Sequence, residues 1–140
     1  MSNGATRHVL TDDEIAGIVF NETRSLSGAD VAQARVNVAH AIINAQASPH
    51  RTPRMAPTTT HVPPAEQAVY AASREAVRTA RQDIHNGQDP TNGATHFNFR
   101  SDASTSNFQG HPIRTNVGPL NNSYPSPDLP GSGVYANTYQ

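Results

Sequence analysis

Glu22 is the residue best placed for acid–base chemistry in this sequence. Ile15, Ile18, Val19 and Glu22 fall at i, i+3, i+4 and i+7, the spacing of one helical face, so the glutamate extends an apolar stripe. Partial burial there disfavours the ionised carboxylate and raises its pKa above the ~4.3 of a free glutamate, which suits a general acid. The competing reading is a helix that frays at residue 22 and leaves the side chain solvated. The other glutamates have different duties: Glu14 fits a helix cap, and Glu66 and Glu75 belong to a helix whose apolar stripe bypasses them.

A second group of polar residues lies further along. Ala94-Thr95-His96-Phe97-Asn98-Phe99-Arg100 alternates with period two, the mark of a half-buried strand. Phe97 and Phe99 share the face expected against the helices, and His96 and Asn98 share a wet face able to hydrogen-bond a polar ligand. Asp89 before Pro90 reads as a turn residue. His8, His40, His50, His61, His85, His96 and His111 fall in no recognised ligand spacing, so no metal and no cofactor is expected. There is no Gly-x-Ser-x-Gly, no Gly-rich phosphate loop and no dinucleotide fingerprint. The absence of cysteine removes thiol catalysis, disulfides and Cys-based zinc sites together.

These residues need elements to hold them. Thr11-Asp12-Asp13-Glu14 has the form of a capping box and starts a helix. A second helix follows Ser27 to Asp30, with Val31, Ala34, Val38, Ala41, Ile42 and Ala45 on one face, and ends near Ala47-Ser48-Pro49. Five prolines between Ser48 and Pro64 make that stretch a loop. Pro64 suits the first turn of a third helix, striped by Val69, Ala72 or Ser73, Ala76, Val77, Ala80 and Ile84 and stopped by Asn86-Gly87. Pro125 to Gln140 is turn-rich and reads as a flexible or loosely docked tail after a single catalytic domain over residues 1–124.

The 140-residue chain has room for one modest domain. Val, Ile, Leu and Phe make up only about 17 % of it, so the core must be economical and filled with alanine. A net charge of −1 offers nothing to a polyanion, so nucleic acid is not an expected partner, and no run reaches the length of a membrane span. The first ten residues carry no apolar stretch of signal-peptide length.

Three segments occur in the order found in one family. Asp89-Pro90-Thr91-Asn92-Gly93-Ala94, after a helix ending in Asn86-Gly87 and before an aromatic- and Asn-bearing strand, resembles the NGxDPTxGAxxF signature of the cell-wall hydrolases related to spore cortex-lytic enzymes. Ile15 to Arg24 is similar to that family's helix ending in Glu-Ala-Arg-Gly, and Val36 to Asn44 to its next helix. The resemblance covers residues 12–46 and 75–106. It departs at Thr23 and Ser25, where the family has Ala and Gly, at Ala45, where an Arg commonly stands, and over residues 47–63, which lack a Gln-Phe segment. Gly110-His111-Pro112-Ile113 echoes the family's C-terminal Gly-His-x-aromatic element.

The resemblance implies an α+β, mainly α, lysozyme-like fold of about three main helices with a short β element and a loop-rich C-terminus. It implies a lytic transglycosylase that cleaves peptidoglycan between N-acetylmuramic acid and N-acetylglucosamine. Glu22 matches the family's catalytic glutamate, and Thr91, His96, Asn98 and Asn44 are the expected substrate contacts. Two alternatives stand beside it: a hydrolytic muramidase in which Asp89 or Asp102 activates water, and a non-catalytic glycan-binding module. The expected place of action is the bacterial cell wall, in the periplasm or outside the cell. Delivery without a signal peptide points to a phage lysis enzyme, a larger parent protein, or an effector injected by a secretion machine and matched by an immunity protein.

Overall fold

The computed structural model of the chain describes residues 9–48, 60–103 and 108–140. Helix α1 (Asp12–Thr23) begins where the capping box places it. The Thr11 hydroxyl accepts from the Glu14 backbone N–H at 3.1 Å, and the Glu14 carboxylate accepts from the Thr11 N–H at 2.9 Å. Two residues of strand β1 (Leu26–Ser27) come next, then helix α2 (Val31–Ala47). A 3₁₀ turn over Pro64–Glu66 leads into helix α3 (Gln67–His85), which stops at Asn86 with Gly87 in the left-handed region at φ 71°. The proline-rich loop expected between Ser48 and Pro64 lies, for residues 49–59, outside the described residues.

Contacts at the helix ends fix the directions. Asp12 meets Arg81 and Arg24 meets Glu66, so α1 runs antiparallel to α3. Leu10 meets Gln46 and Thr23 meets Arg35, so α1 runs antiparallel to α2 as well. Ile15, Ile18, Val19, Val38, Ile42, Val77 and Ala80 close the core between the three helices, with Phe97 and Phe99 packed against it. A second cluster of Leu26, Ala34, Leu120, Val134 and Ala136 joins α2 to the sheet. Packing on both sides buries α2 almost all round from Ala34 to Ile43, including Arg35, Asn37 and His40.

The sheet is larger than expected. It has four strands in the order β1-β3-β4-β2, with β2 (His96–Arg100), β3 (Ile113–Asn122) and β4 (Ser132–Tyr139), and its pairings are antiparallel. The class is therefore α+β, but neither the short β element nor the loop-rich C-terminus holds. The supposed tail over residues 125–140 supplies the strand that pairs with both β2 and β3, and Val134, Ala136, Asn137, Thr138 and Tyr139 are buried. Its turn residues form one tight reversal, in which Ser126 and Leu129 exchange backbone hydrogen bonds at 2.6 and 3.1 Å. Beyond that reversal β4 is held by two ladders rather than by large apolar side chains, so the sequence shows little alternation. The boundary at residue 124 falls inside the fold.

Candidate active site

The last turn of α1 carries Glu22. The stripe through Ile15, Ile18 and Val19 is buried, but Glu22 comes out at the helix end and is exposed rather than continuing it. Its surroundings still withdraw enough water from the carboxylate to raise its pKa above the ordinary glutamate value. The negative end of the helix dipole acts in the same direction. Among the described residues no cation is paired with this carboxylate.

The neighbouring cations are engaged elsewhere or held apart. Arg24 donates from Nε to Glu66 at 2.8 Å and from its amino group to the other carboxylate oxygen, while its guanidinium lies 5.0 Å over the Phe20 ring. Phe20 in turn meets Tyr70 edge-on at 5.6 Å. Arg35, 7 % exposed, donates from Nε to the Thr23 hydroxyl at 3.3 Å, and that hydroxyl donates to the Val19 carbonyl at 2.7 Å. Burial lowers the Arg35 pKa.

Sheet residues flank the same helix end. Ser123 donates to the Ser25 carbonyl through its backbone N–H at 2.8 Å and its hydroxyl at 3.1 Å. Buried Asn122 clamps Tyr124, accepting from its N–H and donating to its carbonyl, both at 3.1 Å, and leaves the ring 72 % exposed. Sequence reasoning does not place Thr23, Arg35 or Tyr124 in the site. The signal the sequence holds for Arg35 is that it is the one Asp, Glu, Lys or Arg residue in α2.

The 89–94 segment behaves differently from its expected role. Asp89 accepts from the Thr91 N–H at 2.8 Å, the Thr91 hydroxyl at 2.6 Å, the Gly93 N–H at 3.0 Å and the Asn44 amide at 2.9 Å. Desolvation would raise its pKa, but these hydrogen bonds outweigh it and hold the pKa below the ordinary aspartate value. Asn44 also donates to the Ala94 carbonyl at 2.9 Å. Thr91 is fully buried and closes the turn on Asp89, while Asn44 ties the loop to α2. Buried His40 stands between Asp83, 2.9 Å from Nε2, and Asp89, 3.5 Å from Nδ1. A surface depression of about 530 Å³ beside this loop is lined by Asp83 and Asp89, and Glu22 is not part of it.

His96 and Asn98 do share the strand face opposite Phe97 and Phe99, and that face is half-buried beneath other side chains. Phe108 packs on Tyr139 with ring centroids 5.3 Å apart, and His111 stacks on His96 at 3.9 Å. The Tyr139 hydroxyl donates to the Asn98 side-chain oxygen at 3.0 Å. Asp102 is paired at the surface with Arg100, 3.3 Å away. Among the described residues no group of three His, Asp or Glu side chains is arranged to hold a metal ion, and no helix is long and apolar enough to cross a membrane.

The chemistry this arrangement can perform is proton transfer by one carboxyl group, with a buried guanidinium bonded to the next residue along and an exposed tyrosine, held by its backbone, at the adjoining strand end. No family model, curated protein or solved structure matches the chain.

Proposed function

We propose that the chain is a lysozyme-like lytic transglycosylase that cleaves peptidoglycan between N-acetylmuramic acid and N-acetylglucosamine, with Glu22 as general acid and then general base. The observation that carries this reading is the state of Glu22: a carboxyl at a helix end beside an antiparallel sheet, with a raised pKa and no cation to neutralise it among the described residues. Such a group is protonated over a wider pH range than an ordinary glutamate and can donate to the bridging oxygen as the C1–O bond breaks. The resulting carboxylate takes the proton of the muramyl 6-hydroxyl while that oxygen bonds to C1. The product is a 1,6-anhydromuramyl end, no water is consumed, and Glu22 returns to its protonated form. A tethered nucleophile brings most of its own ordering, so a second carboxylate is not required.

A water-activating partner has less support. Asp89 is saturated with donors and has a lowered pKa, which makes it a poor base. Asp102 is an exposed, ion-paired surface residue. Digestion of purified sacculi in ¹⁸O-labelled water decides between the routes. The expected fragments are about 18 Da lighter than hydrolysis products and free of label, since no water is added on cleavage. Label in new reducing ends without anhydro species would replace this reading with the hydrolytic one. Binding with no cleavage at all would leave a glycan-binding module.

A further inference from the structure

We propose that Arg35 is a carboxylate-binding residue of this site and takes the lactyl carboxylate that a muramyl residue exposes once its peptide has been removed. The proposal rests on the glycan-cleaving reading of Glu22 for the nature of its ligand, and on Arg35 itself for the anion.

Arg35 is the buried arginine of the described residues, and it is the wrong one to be without a countercharge. All eleven Asp and Glu residues lie within the described segments, and none pairs with it. Arg24, Arg74, Arg78, Arg81 and Arg100 each have a carboxylate, although their side chains are 32 to 71 % exposed and gain little from one. An uncompensated guanidinium in the interior is costly, and the cost is removed when an anion meets it.

The Arg35 side chain is also oriented. Thr23 accepts from Nε, and the Thr23 proton is committed to the Val19 carbonyl, so one nitrogen is fixed and the two amino groups remain to grip a ligand. That paired edge matches a carboxylate in two parallel hydrogen bonds. Its lowered pKa agrees with a charge stripped of water and not yet repaid by a partner. Thr23 follows Glu22 directly in the chain, so one residue separates the hydroxyl that fixes Arg35 from the proposed acid. The lactyl group sits on the same sugar ring as the attacked C1, whereas the carboxylates of a stem peptide lie further out.

The test uses the intact chain and three glycans: amidase-denuded sacculi with free lactyl carboxylates, the same glycan coupled to methylamine so that the carboxylates become neutral amides, and peptide-bearing sacculi. The wild-type chain is expected to cleave denuded glycan with a kcat/KM roughly 10- to 100-fold above that for the amidated glycan, the range of a lost charged hydrogen bond. Arg35→Met should cleave both at the lower rate and melt no lower than wild type, because a lone buried charge gives way to an apolar side chain. Equal wild-type rates on denuded and amidated glycan would overturn the proposal, and need no variant. An Arg35-dependent preference for peptide-bearing sacculi would move the anion to the stem peptide and overturn the lactyl assignment. Co-sedimentation of Glu22→Gln with the same glycans separates the two readings. Carboxylate-dependent pelleting by a chain that cleaves nothing even as wild type would remove Glu22 as the acid and leave Arg35 in place; pelleting indifferent to the carboxylate would remove Arg35.

Discussion

Glu22 and Asp89 are both carboxylates partly withdrawn from water, and the structure treats them in opposite ways. At Glu22 desolvation stands alone and the pKa rises. At Asp89 the same desolvation is outweighed by four donors, two from Thr91 and one each from Gly93 and Asn44, and the pKa falls. A satisfied carboxylate builds structure, because every lone pair it uses locks a neighbour. An unsatisfied one stores the capacity to bind or release a proton. The signature-like segment Asp89 to Ala94 is thus bonded to α2 through Asn44, whereas the helix end at Glu22 has no such bonds among the described residues.

Exchanging the two roles by mutation tests the contrast. The largest effect is expected for Glu22→Gln, which should lower bacteriolytic activity by about 10²- to 10⁴-fold in a turbidity assay, the usual worth of a general acid. Retention of a tenth of the activity would take Glu22 out of the chemistry. Asp89→Ala should do the reverse: destabilise by roughly 2 to 3 kcal/mol, as charged hydrogen bonds are lost and buried donors left unpaired, while activity per folded molecule stays within a few-fold. Chemical denaturation followed by circular dichroism reads the first, and activity normalised to the folded fraction reads the second.

The pH dependence sharpens the comparison further. A raised folded pKa means that the Glu22 contribution to stability is full below its ordinary value of 4.5 and is lost as pH rises through the folded pKa. Glu22→Gln should therefore melt slightly above wild type at pH 7, with the difference vanishing at pH 4. Asp89 has the opposite sign: its contribution is full above its ordinary 3.8 and is lost as pH falls through the lower folded value. Asp89→Asn should accordingly melt below wild type at pH 7, with the gap narrowing as pH falls below 3.8. Calorimetric scans across that range check both slopes. The smallest effect is expected for Glu66→Gln, which breaks the partly exposed pair with Arg24 and should cost under about 1 kcal/mol; a larger loss would show that Arg24 positions the Glu22 turn.

What was legible in the sequence was local. The Thr11 cap, the Asn86-Gly87 stop and the alternation around Phe97 and Phe99 each depend on neighbours a few residues away, and the structure has them. Ile84 belongs to the apolar stripe by its spacing yet is 40 % exposed, and at this end α3 meets α2 through the polar Asp83–His40 contact instead. The features that escaped depend on distant partners. Ser132 to Tyr139 becomes a strand through β2 and β3, and no alternation within it announces that. Thr91 and Asn44 resemble ligand contacts because they are polar beside a turn, and only the fold reveals that they point at Asp89. Glu22 is marked by a stripe that stops one turn short of it, so its desolvation is readable from spacing but its exposure is not.

The place of β4 between β2 and β3 has a consequence for timing. Synthesis runs from the N-terminus, so both flanking strands leave the ribosome before the one that joins them. Until β4 arrives, β2 has no partner strand, and β3 has only the two residues of β1. Helices can form early from short-range contacts, but this sheet must wait for long-range ones. An interrupted chain therefore carries the three helices without a finished sheet, and completion of β4 sets the moment at which β2 and β3 are joined.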